Sequence, residues 1–571
     1  MHTSAELRSA LLVDLRKAEV PWLTSDMDLA TARCASLSNA FLKKSVDDIS
    51  PGADDACLSL FEKANSACEA YSLRASKLFH DEVIGEVKHI LDDIFFSGPD
   101  LLVSSSDFDE LIGVGPGAAI GARSFNFYTK LFDSTLSYTD SQLPVLYARA
   151  ISSNPTWALA EKQRAQKYGF RMVEGNRLSF VPKTASMSRS ICTEPSLNML
   201  FQRGLGLVFE RLLRRHFRIS LSTQPDLNKN LARLGSLDGS FGTIDLKSAS
   251  DSVSLTLLKQ ILPAYVYSWL VRFRSPSVTL PGGRSLQLHM VSSMGNGFTF
   301  PLQTLIFATI VRACYRVLGI KSEYVDGKPS NFGIFGDDII VRKDAYAFVV
   351  DCLGLFGFTV NDEKSFNVGP FRESCGGDFF KGAEVRGVYV KSLKHRTDVY
   401  STINRLMRWS SLSGVMLPTV MKLLTPRVRF LPVPWHASDA EGIKIPRKFL
   451  IQPALDETGC TIYRALSPVP VSFKAPSGEA ERPRFYPGRQ KRFITFNADG
   501  VVVSLVGGYI RNGRITLRSE DSKVLRRFKV RYCKTPHWDF YRSAAEKQQV
   551  HDWEVMYELM HPLGCFDWAA H

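Results

Sequence analysis

Gly336-Asp337-Asp338 lies between two apolar runs, Asn331-Phe-Gly-Ile-Phe335 and Ile339-Ile-Val341. Gly-Asp is a favoured pair for a two-residue hairpin turn, because glycine supplies the positive φ that such a turn needs. The spacing therefore predicts strands at Phe332–Phe335 and Asp338–Val341 with two adjacent carboxylates at the tip. Left unpaired and desolvated, those charges would repel at a cost of about several kcal/mol. A divalent cation removes the conflict: Mg²⁺ takes oxygens from one or two carboxylates and fills its other positions with water and substrate phosphates. The plain alternative is a solvated turn. A second acid, Asp245, closes a short strand in Gly242-Thr-Ile-Asp-Leu-Lys-Ser-Ala-Ser-Asp251, with Asp251 six residues further on. Asp245 and Asp337 are 337 − 245 = 92 residues apart. They converge only if their strands are neighbours in one sheet, which is the layout of a two-metal phosphoryl-transfer site. Taken alone, Asp245 reads equally as a helix N-cap. The third segment, Ser292-Ser-Met-Gly-Asn-Gly-Phe-Thr-Phe-Pro301, is a glycine-rich loop that runs into a helix with Leu302, Leu305, Ile306 and Ile310 on one face. Such a loop lets backbone approach a nucleotide or template closely, though an isolated Gly-x-Gly is weak evidence.

These residues need a scaffold. Helical periodicity dominates residues 1–100 and 196–220. Residues 240–392 alternate strand-like and helix-like segments, which predicts an α+β or α/β core. Residues 416–490 read as loop-rich, and a β-hairpin is expected at 500–517, turning at Asn512-Gly513. The chain has 571 residues, 45% apolar and 22% charged, so it is neither disordered, collagenous nor a coiled coil. Lys and Arg exceed Asp and Glu by 71 − 57 = 14, which suggests a polyanionic partner such as nucleic acid or an anionic membrane. The excess is uneven. Residues 482–534 carry 14 bases against 3 acids, interleaved with aromatics, whereas residues 81–110 carry 9 acids and one base, Lys88. No uncharged apolar run of about 18 residues exists, so no membrane span is expected. The first 25 residues read as an amphipathic helix rather than a secretory signal. Ten cysteines without C-x-x-C spacing predict reduced thiols of a cytosolic protein.

The three segments, in this order, resemble palm motifs A, B and C of RNA-directed RNA polymerases, and in particular the replicase β subunit of positive-strand RNA bacteriophages, the leviviruses. The resemblance is carried by Thr243-Ile-Asp-Leu-Lys-Ser-Ala-Ser-Asp251, Ser293-Met-Gly-Asn-Gly-Phe-Thr299, Phe335-Gly-Asp-Asp338 and Phe371-Arg-Glu-Ser-Cys-Gly376, with Val181-Pro-Lys-Thr184 and Arg189 through Glu194-Pro195 similar to the finger motif. It covers roughly residues 170–395. It implies an α+β right hand of palm, fingers and thumb, with an antiparallel palm sheet flanked by helices. An N-terminal helical extension and fingers would span 1–237, the palm 238–392 with a finger insertion near 258–289, and the thumb and basic C-terminal region 393–571.

The implied activity is template-directed RNA synthesis that replicates and transcribes a viral single-stranded RNA genome. Asp245, Asp337 and Asp338 would hold two Mg²⁺ ions, with Mn²⁺ as a substitute. Asp251, with Ser293 or Asn296, would read the ribose 2′-hydroxyl. Lys183 and Arg189 would hold the triphosphate. Lys364 would protonate the departing pyrophosphate. Phe371 to Gly376 would support the primer end. Arg526 and Arg527 stand for the basic segment expected to contact RNA. Implied partners are template and product RNA, NTPs, and the host's elongation factors Tu and Ts and a ribosomal small-subunit protein, in the cytoplasm of an infected bacterium and without a membrane. Three positions depart from the family pattern: Phe335 where many members have Tyr, Gln303 where several have Asn, and Lys247 inside motif A. The competing readings are a reverse-transcriptase-like palm polymerase and a non-catalytic RNA-binding viral protein.

Overall fold

The computed structural model describes residues 4–16, 27–47, 49–96, 111–115, 117–122, 127–451, 453–468, 497–512 and 528–566. At its centre is a three-stranded antiparallel sheet in the order Phe332–Phe335, Asp338–Arg342, Phe241–Ile244. The first two strands form the hairpin expected from the Gly-Asp turn. The strand that ends before Asp245 lies directly beside it.

Side-chain alternation divides the sheet into two buried faces. Ile339 and Val341 point into the main core, with Leu305, Ile306, Val349 and Cys352. Ile340 points the other way, to Leu231, Ala232, Phe241 and Phe379. Two covered faces explain why Ile339-Ile-Val341 is an unbroken apolar run rather than an alternating one. The helix Gln224–Asp238 supplies the second cover, and its Asn228 amide donates to the Asp338 carbonyl at 3.2 Å.

The helix Thr299–Val317 packs among Ser196–Phe217, His80–Phe96 and Tyr346–Leu355. It is apolar on nearly every side because it is surrounded. Its charges, Arg312 and Arg316, fall in the C-terminal turns, where the helix dipole favours cations. The acidic residues Asp81, Glu82, Asp92 and Asp93 are the exposed face of the helix His80–Phe96, whose Val83, Val87, Ile90 and Leu91 are buried. The rest of the 81–110 stretch, from 97 on, lies outside the described residues.

A second sheet of four strands has the order Ser188–Thr193, Gly175–Pro182, Ser277–Thr279, Ser285–Gln287. Residues 255–289 therefore leave the central unit as two short helices, Leu255–Ile261 and Ala264–Phe273, and then join strands that come before it in the chain. A third unit joins the sheet of Ala454–Leu455, Thr461–Pro468 and Phe528–Thr535 to the helices Arg396–Ser413, Pro418–Leu424 and Ala544–Met560. Two helices from the 1–237 stretch pack here: Leu7, Leu11 and Leu37 are buried with Trp409, Trp538 and Trp553. The Asp14 carboxylate accepts from the Thr419 and Val420 amides, each at 2.9 Å, and so caps the helix Pro418–Leu424.

The hairpin expected at 500–517 is not formed. Residues Ala498–Asn512 are an α-helix, and 513–517 lie outside the described residues. The apolar run Val501-Val-Val-Ser-Leu-Val506 suits either structure by pattern alone. Tertiary contacts decide. The Asn497 side chain caps the helix by accepting from the Gly500 amide at 2.9 Å, and its amide donates to the Ala160 carbonyl at 2.6 Å. Val503 enters the main core, and the helix lies against Pro155–Tyr168. All ten cysteines are free thiols, seven of them buried. Among the described residues no helix is long and apolar enough to cross a membrane.

Asn497→Ala removes the cap and the bond to Ala160, for an expected loss of about 1–3 kcal/mol. Limited proteolysis should then cut near 498–512 at protease levels that leave the parent chain intact. Equal resistance of the two proteins would contradict the docking.

Candidate active site

The hairpin tip is held from below by the helix Thr299–Val317. The Thr304 hydroxyl accepts from the Gly336 amide at 3.0 Å. Gly336 has φ +61, and a Cβ there would lie 2.4 Å from the Phe300 ring and 2.9 Å from the Gln303 amide. Glycine is thus required both for conformation and for space. Phe335 meets Phe300 edge-to-face at 4.7 Å, so the ring packs without needing a hydroxyl.

The register pairs Ile339 with Ile244. Asp338 and Asp245 are the residues next to that pair, so the two acids emerge at the same end of neighbouring strands. Each is anchored by hydrogen bonds. Asp245 Oδ2 accepts from the Asn361 amide at 2.8 Å and stands 3.7 Å from Lys364 Nζ. Asp338 Oδ1 accepts from the Cys375 amide at 3.0 Å and the Ser374 hydroxyl at 3.3 Å. Burial, then the charges of Asp338 and Asp245, push the Asp337 carboxyl up to about 6, against the smaller opposing pull of Lys364. Burial also raises Asp338, with a further contribution from Asp245. The three acids therefore feel one another in a partly desolvated place.

Their chemistry fits a hard divalent cation. Carboxylate oxygens are the donors that Mg²⁺ takes, and the crowding of negative charge is what such an ion relieves. The anchoring bonds fall on Asp245 Oδ2 and Asp338 Oδ1, and the Cys375 thiol also bonds the Asp338 carboxylate. Among the described residues no three His, Cys, Asp or Glu side chains are already drawn around one point.

The glycine-rich loop borders the second part of the site. Asp251 accepts from the Met294 amide, and burial pushes its carboxyl up to about 7. Asp251 Oδ1, Ser293 Oγ and Asn296 Nδ2 are buried without hydrogen-bond partners. Unmatched polar atoms of this kind are rare in folded proteins and mark a place for a polar ligand or water. The loop itself is tightly pinned. The Cys192 amide donates to the Met294 carbonyl at 2.8 Å, and a Cβ on Gly295 would lie 2.1 Å from the Cys192 carbonyl oxygen. The Gly297 amide donates to Gln202 Oε1 at 3.2 Å, and Gln202 Nε2 donates to the buried Glu194 carboxylate at 3.0 Å. Asn176 and Ser275 complete the Glu194 shell at 2.8 and 2.7 Å.

Three cations form a rim. Lys183 lies at the tip of the hairpin Gly175–Pro182/Ser188–Thr193, with Arg189 opposite Val181 in register. The Lys183 ammonium pKa is lowered by burial, then by Arg189 and Lys364, and raised by Asp245 and Asp337, so its charge is felt at the carboxylates. Lys247 is not brought there: it lines a separate cavity with Lys63, Cys68 and Tyr71. Gln303 is buried beneath the tip. Arg526 and Arg527 lie outside the described residues.

Sequence reasoning missed the groups that hold the acids. Ser374 and Cys375 lie in the Phe371–Gly376 segment, expected to support the primer end rather than to anchor the acids, and Asn361, Asn228 and Thr304 have ordinary residue types with no distinctive spacing. Only positive φ at Cys375 (48°) marks the turn that aims its amide at Asp338.

A family model described as "RNA replicase, beta-chain" matches residues 118–458, more than half of the chain. The RNA-directed RNA polymerase beta chain of Enterobacteria phage GA is 37% identical over 297 residues, 52% of this chain and 53% of that protein. The corresponding chain of Escherichia phage MS2 is 38% identical over 259 residues, 45% of this chain and 46% of that one. The matched region thus spans about half the length of these relatives. The crystal structure of the RNA-dependent RNA polymerase of a human picorbirnavirus covers 66% of this chain and 74% of its own, with a TM-score of 0.42 at 11% identity.

The raised Asp251 carboxyl has a consequence for stability. An unfolded Asp ionises near pH 3.9, whereas the folded group ionises at about 7. Between those values unfolding releases a proton, so stability falls as pH rises and the loss is complete above pH 7. Asp251→Asn keeps an acceptor for Met294 and has no charge to bury. Its melting temperature should vary less between pH 4 and 7 and exceed the parent's at pH 7, in line with a gain in unfolding free energy on the order of a few kcal/mol. Parallel pH profiles for the two proteins would refute this.

Proposed function

The chain belongs to the RNA replicase beta-chain family, and from that premise we propose that it catalyses template-directed RNA synthesis: the 3′-hydroxyl of a growing strand attacks the α-phosphate of a bound NTP and pyrophosphate leaves. The observation that carries the proposal is that Asp245 and Asp338 emerge at the same end of neighbouring strands, with both acting on Asp337.

In this reading Asp245, Asp337 and Asp338 hold two Mg²⁺ ions, with Mn²⁺ able to substitute. Bound there, the ions would lower the pKa of the attacking hydroxyl and offset charge on the leaving oxygens. Asn361 and the Cys375 amide each fix one oxygen of an acid. Lys183 and Arg189 orient the triphosphate; a guanidinium fork suits phosphate geometry. Lys364, beside Asp245, is the proposed proton donor to pyrophosphate. Asp251, Ser293 and Asn296 receive the ribose hydroxyls, a role supported by their unmatched buried atoms. The fixed loop makes this recognition one of positioning rather than covalent chemistry.

The palm is proposed to span 238–392, with the insertion near 258–289 joining the fingers sheet and 393–571 forming thumb and C-terminal region. The packing supports an amendment, with the helices Ser4–Asp14 and Leu29–Ala40 belonging to the thumb side. Elongation factors Tu and Ts and a ribosomal small-subunit protein of the bacterial host remain proposed partners on family grounds, in the host cytoplasm.

Asp337→Asn should fold and bind RNA like the parent but lose nucleotide incorporation by about three orders of magnitude or more, measured on an RNA template with Mg²⁺ and four NTPs. Incorporation at the parental rate would refute the site. A preference for dNTPs over NTPs in the same assay would favour a reverse-transcriptase-like enzyme.

A further inference from the structure

Arg396, Arg427, Arg429 and Arg464 line one cavity of about 540 Å³, together with Pro426, Val428, Phe430 and Leu431. No carboxylate is among the described residues that line it. Arg396 opens the helix Arg396–Ser413, Arg427 and Arg429 follow the helix Pro418–Leu424, and Arg464 is mid-strand in Thr461–Pro468. The Tyr400 hydroxyl donates to the Arg429 carbonyl at 2.7 Å and ties two of these elements together. Arg396, Arg429 and Arg464 are exposed. Holding exposed guanidiniums together costs Coulomb energy unless an anion joins them.

The shape favours a polymer. Arg396 also lines an adjoining cavity of about 480 Å³, with Lys394, His395, Phe528 and two carboxylates, Asp47 and Asp398. Both carboxylates are engaged: Asp398 caps the His395 amide at 3.2 Å, and Asp47 accepts from the Ser392 hydroxyl and the Leu393 amide and pairs with Lys394 at 3.8 Å, so Arg396 is the cation this cavity offers. The two cavities meet at Arg396 and form a track past the N-terminus of a long helix, itself a favourable place for phosphate. Aromatic surface accompanies the charge. Phe430 is 38% exposed on the cavity wall, and Tyr532, 78% exposed, is the cross-strand partner of Arg464. Guanidinium forks for phosphates beside exposed rings for bases are the elements of single-strand recognition.

We propose that this arginine-lined track in the C-terminal unit is a second RNA-binding site, which holds the phosphodiester backbone of single-stranded RNA apart from the carboxylate centre. It rests on the replicase reading only for the choice of RNA as ligand. The track uses none of Asp245, Asp337, Asp338, Lys183 or Arg189.

The test is fluorescence anisotropy of a labelled single-stranded RNA, titrated with the full chain at several salt concentrations. The triple variant Arg396→Gln/Arg429→Gln/Arg464→Gln should bind at least about tenfold more weakly near 0.15 M salt. Its slope of log affinity against log salt should be shallower by about 2, since each lost single-strand phosphate contact removes about 0.7. Tyr532→Ala should weaken binding of RNA but not of inorganic polyphosphate. Matching melting temperatures establish that the variants fold. Unchanged affinity and slope in the triple variant would overturn the proposal. So would a Tyr532→Ala protein that binds RNA like the parent, or a salt slope lost for polyglutamate but retained for RNA, which would assign the track to an acidic polypeptide. Asp337→Asn, run in parallel, should keep the parental slope. Its incorporation assay reports on the carboxylate centre separately, so either reading can fail alone.

Discussion

Three carboxylates share a partly desolvated corner, and much of the central unit can be understood as the means of keeping them there. Burial and mutual repulsion raise Asp337 and Asp338. Free side chains would turn outward to water. They are prevented from doing so by one hydrogen-bonded oxygen on Asp245, one on Asp338, and a hairpin tip that cannot lift because Gly336 is bonded to Thr304 and wedged over Phe300. The repulsion is a feature of the fold that a divalent cation would relieve.

The glycine-rich loop follows a related logic with neutral groups. Asp251, Ser293 and Asn296 each keep an unmatched buried atom. That arrangement is costly unless the loop is held by stronger interactions elsewhere. The holding runs through Cys192, Gln202 and Glu194, which belong to the strand and helix leading out of the Gly175–Thr193 hairpin. The hairpin that carries Lys183 and Arg189 and the glycine-rich loop are therefore one mechanical unit. A displacement of one is transmitted to the other through a buried carboxylate held by three side chains, Gln202, Asn176 and Ser275.

Chain ends crossing between units give the molecule its coherence. The first helix is buried in the C-terminal core, and the late helix Ala498–Asn512 returns to the N-terminal half. Neither end can be removed without uncovering apolar surface of a unit distant in sequence.

Sequence alone determined the local chemistry. The Gly-Asp turn, the strands around it, Asp245 at a strand end and the glycine-rich entry to a buried helix were all legible, because each is set by backbone preferences over a few residues. Their order along the chain also carried the family resemblance. Tertiary structure decided what short-range preference does not encode. It turned the apolar run after Asn497 into a helix, because Asn497, Ala160 and the main core were there to receive it. It sent Lys247 away from the acids and chose Asn361 and the Cys375 amide to hold them. It also gathered four arginines from three separate elements around one cavity. The physical reason is common to all of these: such contacts join residues tens to hundreds of positions apart, and their energies exist only once the elements have packed.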